Sequence, residues 1–380
     1  MKVTMLAKEY PPNVYGGAGV HLRHLAHELS RIMDVEVKCF GNQNIKEKHL
    51  KVKGYQPCDR LKECNDPHFY LPFSTISINL LMARDMIDTD IIHSHTWYAS
   101  FAGFLAKRLY KLPLVVTCHS IEPSRPWKEE QLGRAYQLSS WLEKTAIESA
   151  DRVIAVSKNV KEDILKHFNI TEDRIVVIYN GIDLNKWKET LTDFTKKEYG
   201  IDHDYILFVG RTTRQKGMIY LIEAADYIEK DVQIVICTSA PDTKEVEEEM
   251  MQKMIQKKNI IWINKLLREE QYIELYSGAV VFVCPSIYEP FGIVNIEAMA
   301  CKTPIVASAV GGIKEVVIHE ETGMLVEPAK PKQLAYYINH LLRNRELARK
   351  LGENGRKRVK EHFSWTSIAQ QTKNLYESIL

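Results

Sequence analysis

The apolar runs of this 380-residue chain are short, and none approaches the roughly twenty residues that a membrane-spanning helix needs. The first, in MKVTMLAKEYPP, is broken by Lys8 and a pair of prolines, which also makes it too short for the core of a secretion signal. An excess of charge of one sign is missing too: 51 lysines and arginines against 49 acidic residues leave a formal net charge of +2. Where basic residues gather, as in KEEQLGR and RKRVKEHF, acids are interleaved with them. These stretches read as solvated helix faces rather than a stripe that grips nucleic acid. Cysteine is sparse and odd in number. Cys39, Cys58, Cys64, Cys118, Cys237, Cys284 and Cys301 are scattered, mostly inside apolar runs, which argues for reduced thiols and against a disulfide framework. Cys58 and Cys64, with His68 nearby, are close enough for a metal clip, but the spacing matches no familiar zinc pattern and a loop is expected. Short tandem repeats are absent. These absences point to a cytoplasmic protein with no nucleic-acid or membrane partner, and they leave a homo-oligomer open.

What is present is a regular alternation. Short apolar runs bounded by turn residues recur along the chain, most of them followed by a stretch of helical periodicity. The runs are KVTMLA, VEVKCF, DIIHSH, LPLVVTCH, DRVIAVS and RIVVIYN, then YILFVG, VQIVIC, NIIWIN, AVVFVCPS, TPIVASA and GMLVEP. Near-continuous hydrophobicity means that both faces of each strand are covered, as in a parallel sheet between helix layers. Strand then helix, about six times per half, predicts an α/β protein of two doubly wound Rossmann-like domains. The join is expected in NGIDLNKWKETLTDF, whose Asn180-Gly181 pair is a turn signal, giving domains 1–185 and 186–363. The last helix, 364–380, follows the second series of strands and could cap either half. The polar region from Asn42 to Leu71, with Pro57 and Pro67, reads as an irregular excursion.

In such sheets ligands bind beyond the carboxyl ends of the strands, so the residues just after each apolar run carry the chemistry. After the first run come Gly16-Gly17-Ala18-Gly19 and a helix whose buried stripe is Val20, Leu22, Leu25, Ala26 and Leu29. Glycines admit a ligand close to the backbone, and the helix start offers free N–H groups; a plain tight turn explains GGAG equally well. The second domain opens with YILFVG running into Arg211 and, five residues later, Lys216-Gly217. Two cations at the mouth of a parallel sheet suit a diphosphate whose charge grows as it leaves, and a solvent-facing turn is the competing explanation. EPFGIVNIE, after AVVFVCPS, decides between them. Pro290 and Gly292 open a helix that continues through Ile296, Ala298 and Met299, which puts Glu289 before its first turn and Glu297 two turns in. Carboxylates so placed can accept hydrogen bonds from sugar or ribose hydroxyls while the leading amides face an anion. Asp88-Thr89-Asp90 has the form of a metal-binding Asp-x-Asp but precedes a strand, at the wrong end of the sheet. It is expected to be a turn, with no essential metal.

GGAG, VTCHS, FVGRTTRQKG and the Glu-x7-Glu segment together resemble the retaining glycosyltransferases of the GT-B fold, in which two Rossmann-like domains face each other across a cleft. The resemblance covers the whole chain. The longer strings AKEYPPNVYGGAGVH, HSHTW, HSIEPSRPWKEEQLGRAYQLSSWLEKTAIESADRVIAVS and CPSIYEPFGIVNIEAMA look like the actinobacterial-type glycogen synthases, also described as α-maltose-1-phosphate synthases. The resemblance implies transfer of glucose from a nucleotide-diphosphate glucose, ADP-glucose before UDP-glucose, to an α-1,4-glucan or to glucose 1-phosphate, with no cofactor. It implies that Arg211 and Lys216 hold the donor diphosphate and that Glu297 binds the ribose. Glu289 would contact the transferred glucose together with the backbone of Phe291, Gly292 and Ile293. His119 would sit by the reacting sugar, and Gly16 and Gly17 against phosphates and sugar. Where bacterial and plant starch-type synthases carry lysine-x-Gly-Gly-Leu, this chain carries Val14-Tyr15-Gly16-Gly17-Ala18 and lacks that lysine.

The acceptor is expected at the first domain's loops: His95, Trp97 and Tyr98 after DIIHSH, and Glu122, Arg125, Trp127 and Lys128 after VVTCHS. Aromatic faces stack on sugars, and Arg125 with Lys128 could bind a phosphate. Alternatively Trp127 packs in the core and the charges are solvated. Three other functions fit parts of the pattern. A nucleotide-sugar epimerase would share the diphosphate site but need no acceptor. A carbohydrate-binding module would have no use for Arg211, Lys216, Glu289 and Glu297 together. A lipid-linked hexosyltransferase of the same fold would show a basic amphipathic face, which the mixed charge of the helix from Ala18 to Met33 supports little.

Overall fold

The computed structural model describes residues 1–380 apart from 15, 64–68, 87, 240, 242 and 256. The chain forms two compact units, one of residues 1–180 with 365–380, the other of residues 181–364. In the first unit the strands are β1 (Lys2–Ala7), β2 (Asp34–Phe40), β3 (Asn44–Lys46), β4 (Leu50–Tyr55), β5 (Ile91–His95), β6 (Leu114–Cys118), β7 (Arg152–Ala155) and β8 (Ile175–Val177). They form one sheet in the order β3-β4-β2-β1-β5-β6-β7-β8. The second unit has β9 (Tyr205–Arg211), β10 (Gln233–Ser239), β11 (Ile260–Asn264), β12 (Val281–Cys284), β13 (Ile305–Ser308) and β14 (Met324–Val326), in the order β11-β10-β9-β12-β13-β14. All pairings in the second sheet are parallel. In each sheet the chain leaves a central strand to one side and returns on the other, at β1/β5 and β9/β12. These are the switch points where a doubly wound sheet opens a crevice for ligands.

The twelve apolar runs of the sequence are all strands. Their continuous hydrophobicity matches their burial: every residue of β5, β6, β12 and β13 is buried. Helices supply the covering layers by ordinary amphipathic spacing. Helix Pro331–Arg343, with proline in its first turn, buries Leu334, Ala335, Ile338, Leu341 and Leu342 against Ile206, Ile234 and Val281. Each such leucine or isoleucine contributes about 1.5–3 kcal/mol when fully buried. In helix Gly17–Leu29 the expected stripe of Leu22, Leu25, Ala26 and Leu29 is buried, whereas Val20 is only half-buried and Gly19 and His21 join the buried face.

The region from Asn42 to Leu71 is a correction. It is not an irregular excursion: β4 extends the parallel sheet beside β2, and β3 returns antiparallel at its edge. LKVKGY alternates apolar and lysine residues and has the burial pattern of a strand with one face exposed, a period-two signal invisible to a search for continuous apolar runs. Residues 64–68 of this region, and with them the Cys64 and His68 of the sulfur-histidine clip, lie outside the described residues; six other cysteines are free thiols, Cys58 exposed and the rest buried. The last helix, Trp365–Glu377, packs on Gly17–Leu29 and adds Trp365, Ile368 and Tyr376 to the core of the first unit. Asp88-Thr89-Asp90 forms the turn into β5, where Asp90 accepts from the Lys2 amide at 2.7 Å at the start of β1, the edge opposite the candidate site. Among the described residues no helix is long and apolar enough to cross a membrane.

Candidate functional site

In the second unit the chain after β9 turns sharply. Thr213 caps a short 3-10 turn, Arg214–Lys216, its hydroxyl accepting from the Lys216 amide at 3.2 Å. Gly217 follows with φ of +66°, the left-handed region that favours glycine. The turn is fastened to the loop after β12 by Gln215, whose carbonyl accepts from the Ile287 amide at 2.9 Å and whose side-chain amide donates to the Tyr288 carbonyl at 3.0 Å. That clamp sets the position of Lys216. Its ammonium lies 2.6 Å from Glu289 Oε2, with Glu289 only 6% exposed and the Ser286 hydroxyl 3.4 Å away on the same oxygen. Arg211 is the last residue of β9, at the same edge of the sheet. Thus sequence positions 73 residues apart meet at the switch point as a desolvated cation–carboxylate pair.

Gly292, with φ of +93°, turns the chain into helix Ile293–Ala300, and the buried Phe291 precedes it. The helix starts later than the sequence pattern implies, so Glu297 stands a little over one turn in rather than two. The Tyr276 hydroxyl donates to Glu297 Oε2 at 3.0 Å, and burial pushes the carboxyl up to about 7. Tyr276 itself is fully buried, between Trp187 and Phe282. It fixes the orientation of a carboxylate for which the sequence offered no partner. A carboxyl with a folded value near 7 is largely protonated below that pH and ionised above it. If it accepts hydrogen bonds from the donor's ribose, as the resemblance implies, the KM for a nucleotide-sugar donor should fall as pH rises from 6 to 8, and Glu297→Gln should flatten that profile while raising KM. Initial rates at fixed acceptor across this range check it; an unchanged profile in the variant would remove Glu297 from donor binding.

In the first unit four imidazoles gather at the β1/β5 switch. His21 comes from helix Gly17–Leu29, His93 and His95 from β5, and His119 from the residue after β6. His95 Nδ1 is 3.2 Å from His119 Nε2, and the His21 ring centre is 4.7 Å from that of His119. His21 Nδ1 donates to Asn180 Oδ1 at 2.6 Å. His93 is satisfied on both nitrogens, by the Tyr376 hydroxyl at 2.6 Å and the Thr117 hydroxyl at 2.7 Å. Burial, reinforced by the neighbouring imidazoles, holds His95 and His119 well below the ordinary histidine value, and burial lowers His21 to about 4 and His93 to about 3. All four rings are therefore neutral near pH 7. The sequence pointed to His95 and His119 alone. His21, His93 and Asn180 sit in motifs that were already legible, GGAGVH, HSH and YNG, but only the packing shows that they converge.

The glycine loop is held by Glu9, whose Oε2 accepts from the Gly16 amide at 3.0 Å; a Cβ at Gly19 would lie 2.6 Å from that carboxylate. Gly17 begins the helix and is exposed. The neighbouring Tyr15 lies outside the described residues. Of the acceptor-side candidates, Trp97 is 5% exposed, with Tyr98 stacked 3.9 Å from it, and Glu122 is wholly buried. Lys8 places its ammonium 3.9 Å over the Tyr98 ring. Arg125 is ion-paired with Glu122, while Trp127 and Lys128 begin the helix Lys128–Leu132 half-buried.

Beneath Glu122 lies Glu143, whose Oε2 accepts from the Glu122 amide at 2.7 Å. Burial first, then the Glu122 carboxylate, raises the Glu143 carboxyl far above the ordinary range. The folded protein therefore holds a proton there that the unfolded chain releases above about pH 4.5. The sign follows: this stability is present at pH 4–5 and is lost as pH rises through the raised folded value. Glu143→Gln keeps an acceptor for the Glu122 amide and carries no charge. It should match the parent at pH 5 and exceed it at pH 8.5 by about 1 kcal/mol or more, readable as a thermal midpoint. A parent midpoint with no relative decline would contradict a buried, protonated Glu143.

Two doubly wound, largely parallel sheets, each with polar residues at its switch point, are the architecture of the GT-B class of glycosyltransferases. Comparison with known proteins agrees over the length of the chain. The family model for glycosyl transferases group 1 matches residues 192–358, and that for glycosyltransferase family 4 matches residues 15–186. The chain is 42% identical to alpha-maltose-1-phosphate synthase of Mycolicibacterium smegmatis, covering all of both sequences. It is 26% identical to glycogen synthase of Mycobacterium tuberculosis, over 99% of this chain and 94% of that one. The solved sucrose-phosphate synthase of Thermosynechococcus elongatus superposes with a TM-score of 0.81 at 26% identity, covering 100% of this chain and 99% of that one. The chain belongs to the GT-B glycosyltransferases, and within them it is a hexosyltransferase of the maltose-1-phosphate synthase, glycogen synthase and sucrose-phosphate synthase type.

Proposed function

We propose that the protein is a cytoplasmic, retaining glucosyltransferase of α-glucan synthesis, transferring glucose from ADP-glucose, with UDP-glucose as the second candidate donor, to glucose 1-phosphate in preference to an α-1,4-glucan. The observation that carries this reading is the end-to-end 42% identity to an alpha-maltose-1-phosphate synthase, whose named product is what glucose 1-phosphate becomes on gaining one glucose. The weaker likeness to a glycogen synthase keeps the polymer as the second acceptor.

Arg211 and Lys216 are assigned to the donor diphosphate, and Glu297, held by Tyr276, to the ribose. Glu289 and the backbone at Phe291, Gly292 and Ile293 are assigned to the transferred glucose, and His119 with Gly16 and Gly17 to the reacting end of the donor. A carboxylate already bound 2.6 Å from an ammonium is a poor nucleophile. This favours front-face attack, in which the departing phosphate takes the acceptor proton while cations stabilise the charge that develops on it. The neutral state of His119 suits a hydrogen bond to a sugar hydroxyl. Of the acceptor loops, His95 supports His119, and Arg125, Trp127 and Lys128 remain the candidates for the acceptor's phosphate. The reading needs no cofactor. A panel of ADP-glucose, UDP-glucose and GDP-mannose, each with glucose 1-phosphate, glycogen or no acceptor, tests it by product analysis. Maltose 1-phosphate with release of ADP is expected. A new nucleotide sugar formed without acceptor would identify an epimerase instead, and elongation of glycogen alone would transfer the assignment to the polymer.

A further inference from the structure

We propose that the histidine cluster of the first unit is a binding site for a borderline divalent transition ion, Zn2+ above all, ligated by His21, His95 and His119, and that occupancy inhibits sugar transfer. Each of the three rings brings one nitrogen to within 4.8 Å of the other two. Imidazole nitrogens bound to one tetrahedral zinc at about 2.0–2.1 Å are about 3.3 Å apart; the His95 Nδ1 and His119 Nε2 pair is already at 3.2 Å, so closing the set asks for a shift of side chains and for the proton of that hydrogen bond to move to the far nitrogen of its own ring, which leaves both facing lone pairs free. The three come from different elements, a helix, a strand end and a loop, all anchored by the sheet.

The second observation is the state of His21. Its ring is 2% exposed, its Nδ1 is committed to Asn180 Oδ1 and its Nε2 is buried without a hydrogen-bond partner. Donation from Nδ1 fixes the tautomer in which Nε2 carries a lone pair. A ligating histidine with its other nitrogen bonded to a carbonyl oxygen has the outer-shell arrangement of metal sites. A buried acceptor left unpaired is costly, and a bound cation would satisfy it. His93, engaged on both nitrogens, backs the cluster and is not a ligand. An all-imidazole set selects Zn2+, Ni2+ or Cu2+ over the oxygen-seeking Mg2+ and Ca2+.

The inhibitory half rests on the assignment of His119 to the reacting sugar. The experiment therefore reads binding and activity separately, on protein without an affinity tag. Titration of Zn2+ by calorimetry, and of Co2+ by its visible absorption, should give one site per chain with intense tetrahedral-type Co2+ bands, and Mg2+ should not compete. His21→Gln and His95→Gln should each weaken Zn2+ at least tenfold. His49→Gln, an exposed histidine outside the site, should not, and circular dichroism confirms that each variant is folded. Zn2+ should abolish transfer with a midpoint equal to its dissociation constant, and a chelator should restore it. Absence of a stoichiometric site, or a site untouched by both substitutions, overturns the proposal and leaves the transferase assignment standing. Stoichiometric binding with full activity overturns the inhibitory half, and the place of His119 beside the sugar with it.

Discussion

Lys216→Ala is expected to lower kcat by about 10²–10³-fold, the usual cost of removing one group that stabilises developing charge in a water-poor site. Two effects of the substitution have to be separated. Lys216 neutralises Glu289, which is buried at 6% exposure, so alanine also strands a carboxylate. That loss belongs to the ligand-free protein and appears as a lower thermal midpoint. Lys216→Ala/Glu289→Gln removes the stranded charge, so its midpoint should recover toward the parent while transfer stays depressed. If the double variant regains transfer, the lysine serves only to hold Glu289, and the assignment of Lys216 to the diphosphate fails.

The second large effect is on folding. Gly217→Ala puts a methyl group 2.0 Å from the Pro285 carbonyl oxygen on a backbone whose φ is +66°. The left-handed conformation alone costs a non-glycine residue about 1 kcal/mol or more, and here the carbonyl that must yield belongs to the loop carrying Ser286 and Glu289. A loss of about 3 kcal/mol or more is expected, with a fall in activity beyond what residual folding explains, because Lys216 is the adjacent residue. Denaturant unfolding of the variant measures the first, and rates normalised to folded protein measure the second. A variant within 1 kcal/mol of the parent would mean that this turn is far more pliant than its clamp by Gln215 implies.

These two sites also show what a sequence can disclose. The strands with both faces covered were legible because burial on two sides demands unbroken apolar runs, and switch-point logic then placed Arg211, Lys216, Glu289 and Glu297 at the ligand edge. What stayed hidden was pairing. Nothing local tells that Lys216 will bond Glu289 or that Tyr276 will orient Glu297, since each pair joins elements far apart in sequence. Strand β4 escaped for the opposite reason, its lysine alternation being a half-exposed pattern in a chain otherwise read for full burial. Histidines are harder still, because a buried imidazole leaves no periodic mark. His21 reads as one more residue of an amphipathic helix until β5, β6 and Asn180 close around it. The near-complete burial of Trp97 and Glu122 was equally hidden, because a residue that follows a strand carries no periodic pattern that reports its exposure.

The most direct measurement is calorimetric titration of ADP and UDP, each beside its monophosphate, into the parent and into Arg211→Ala/Lys216→Ala. Cations grouped to hold a departing diphosphate should make the parent bind the diphosphate at least tenfold more tightly than the monophosphate, and the double variant should lose that preference while still binding the monophosphate. A preference for the second phosphate that survives in the double variant would place the diphosphate on other residues and contradict the account.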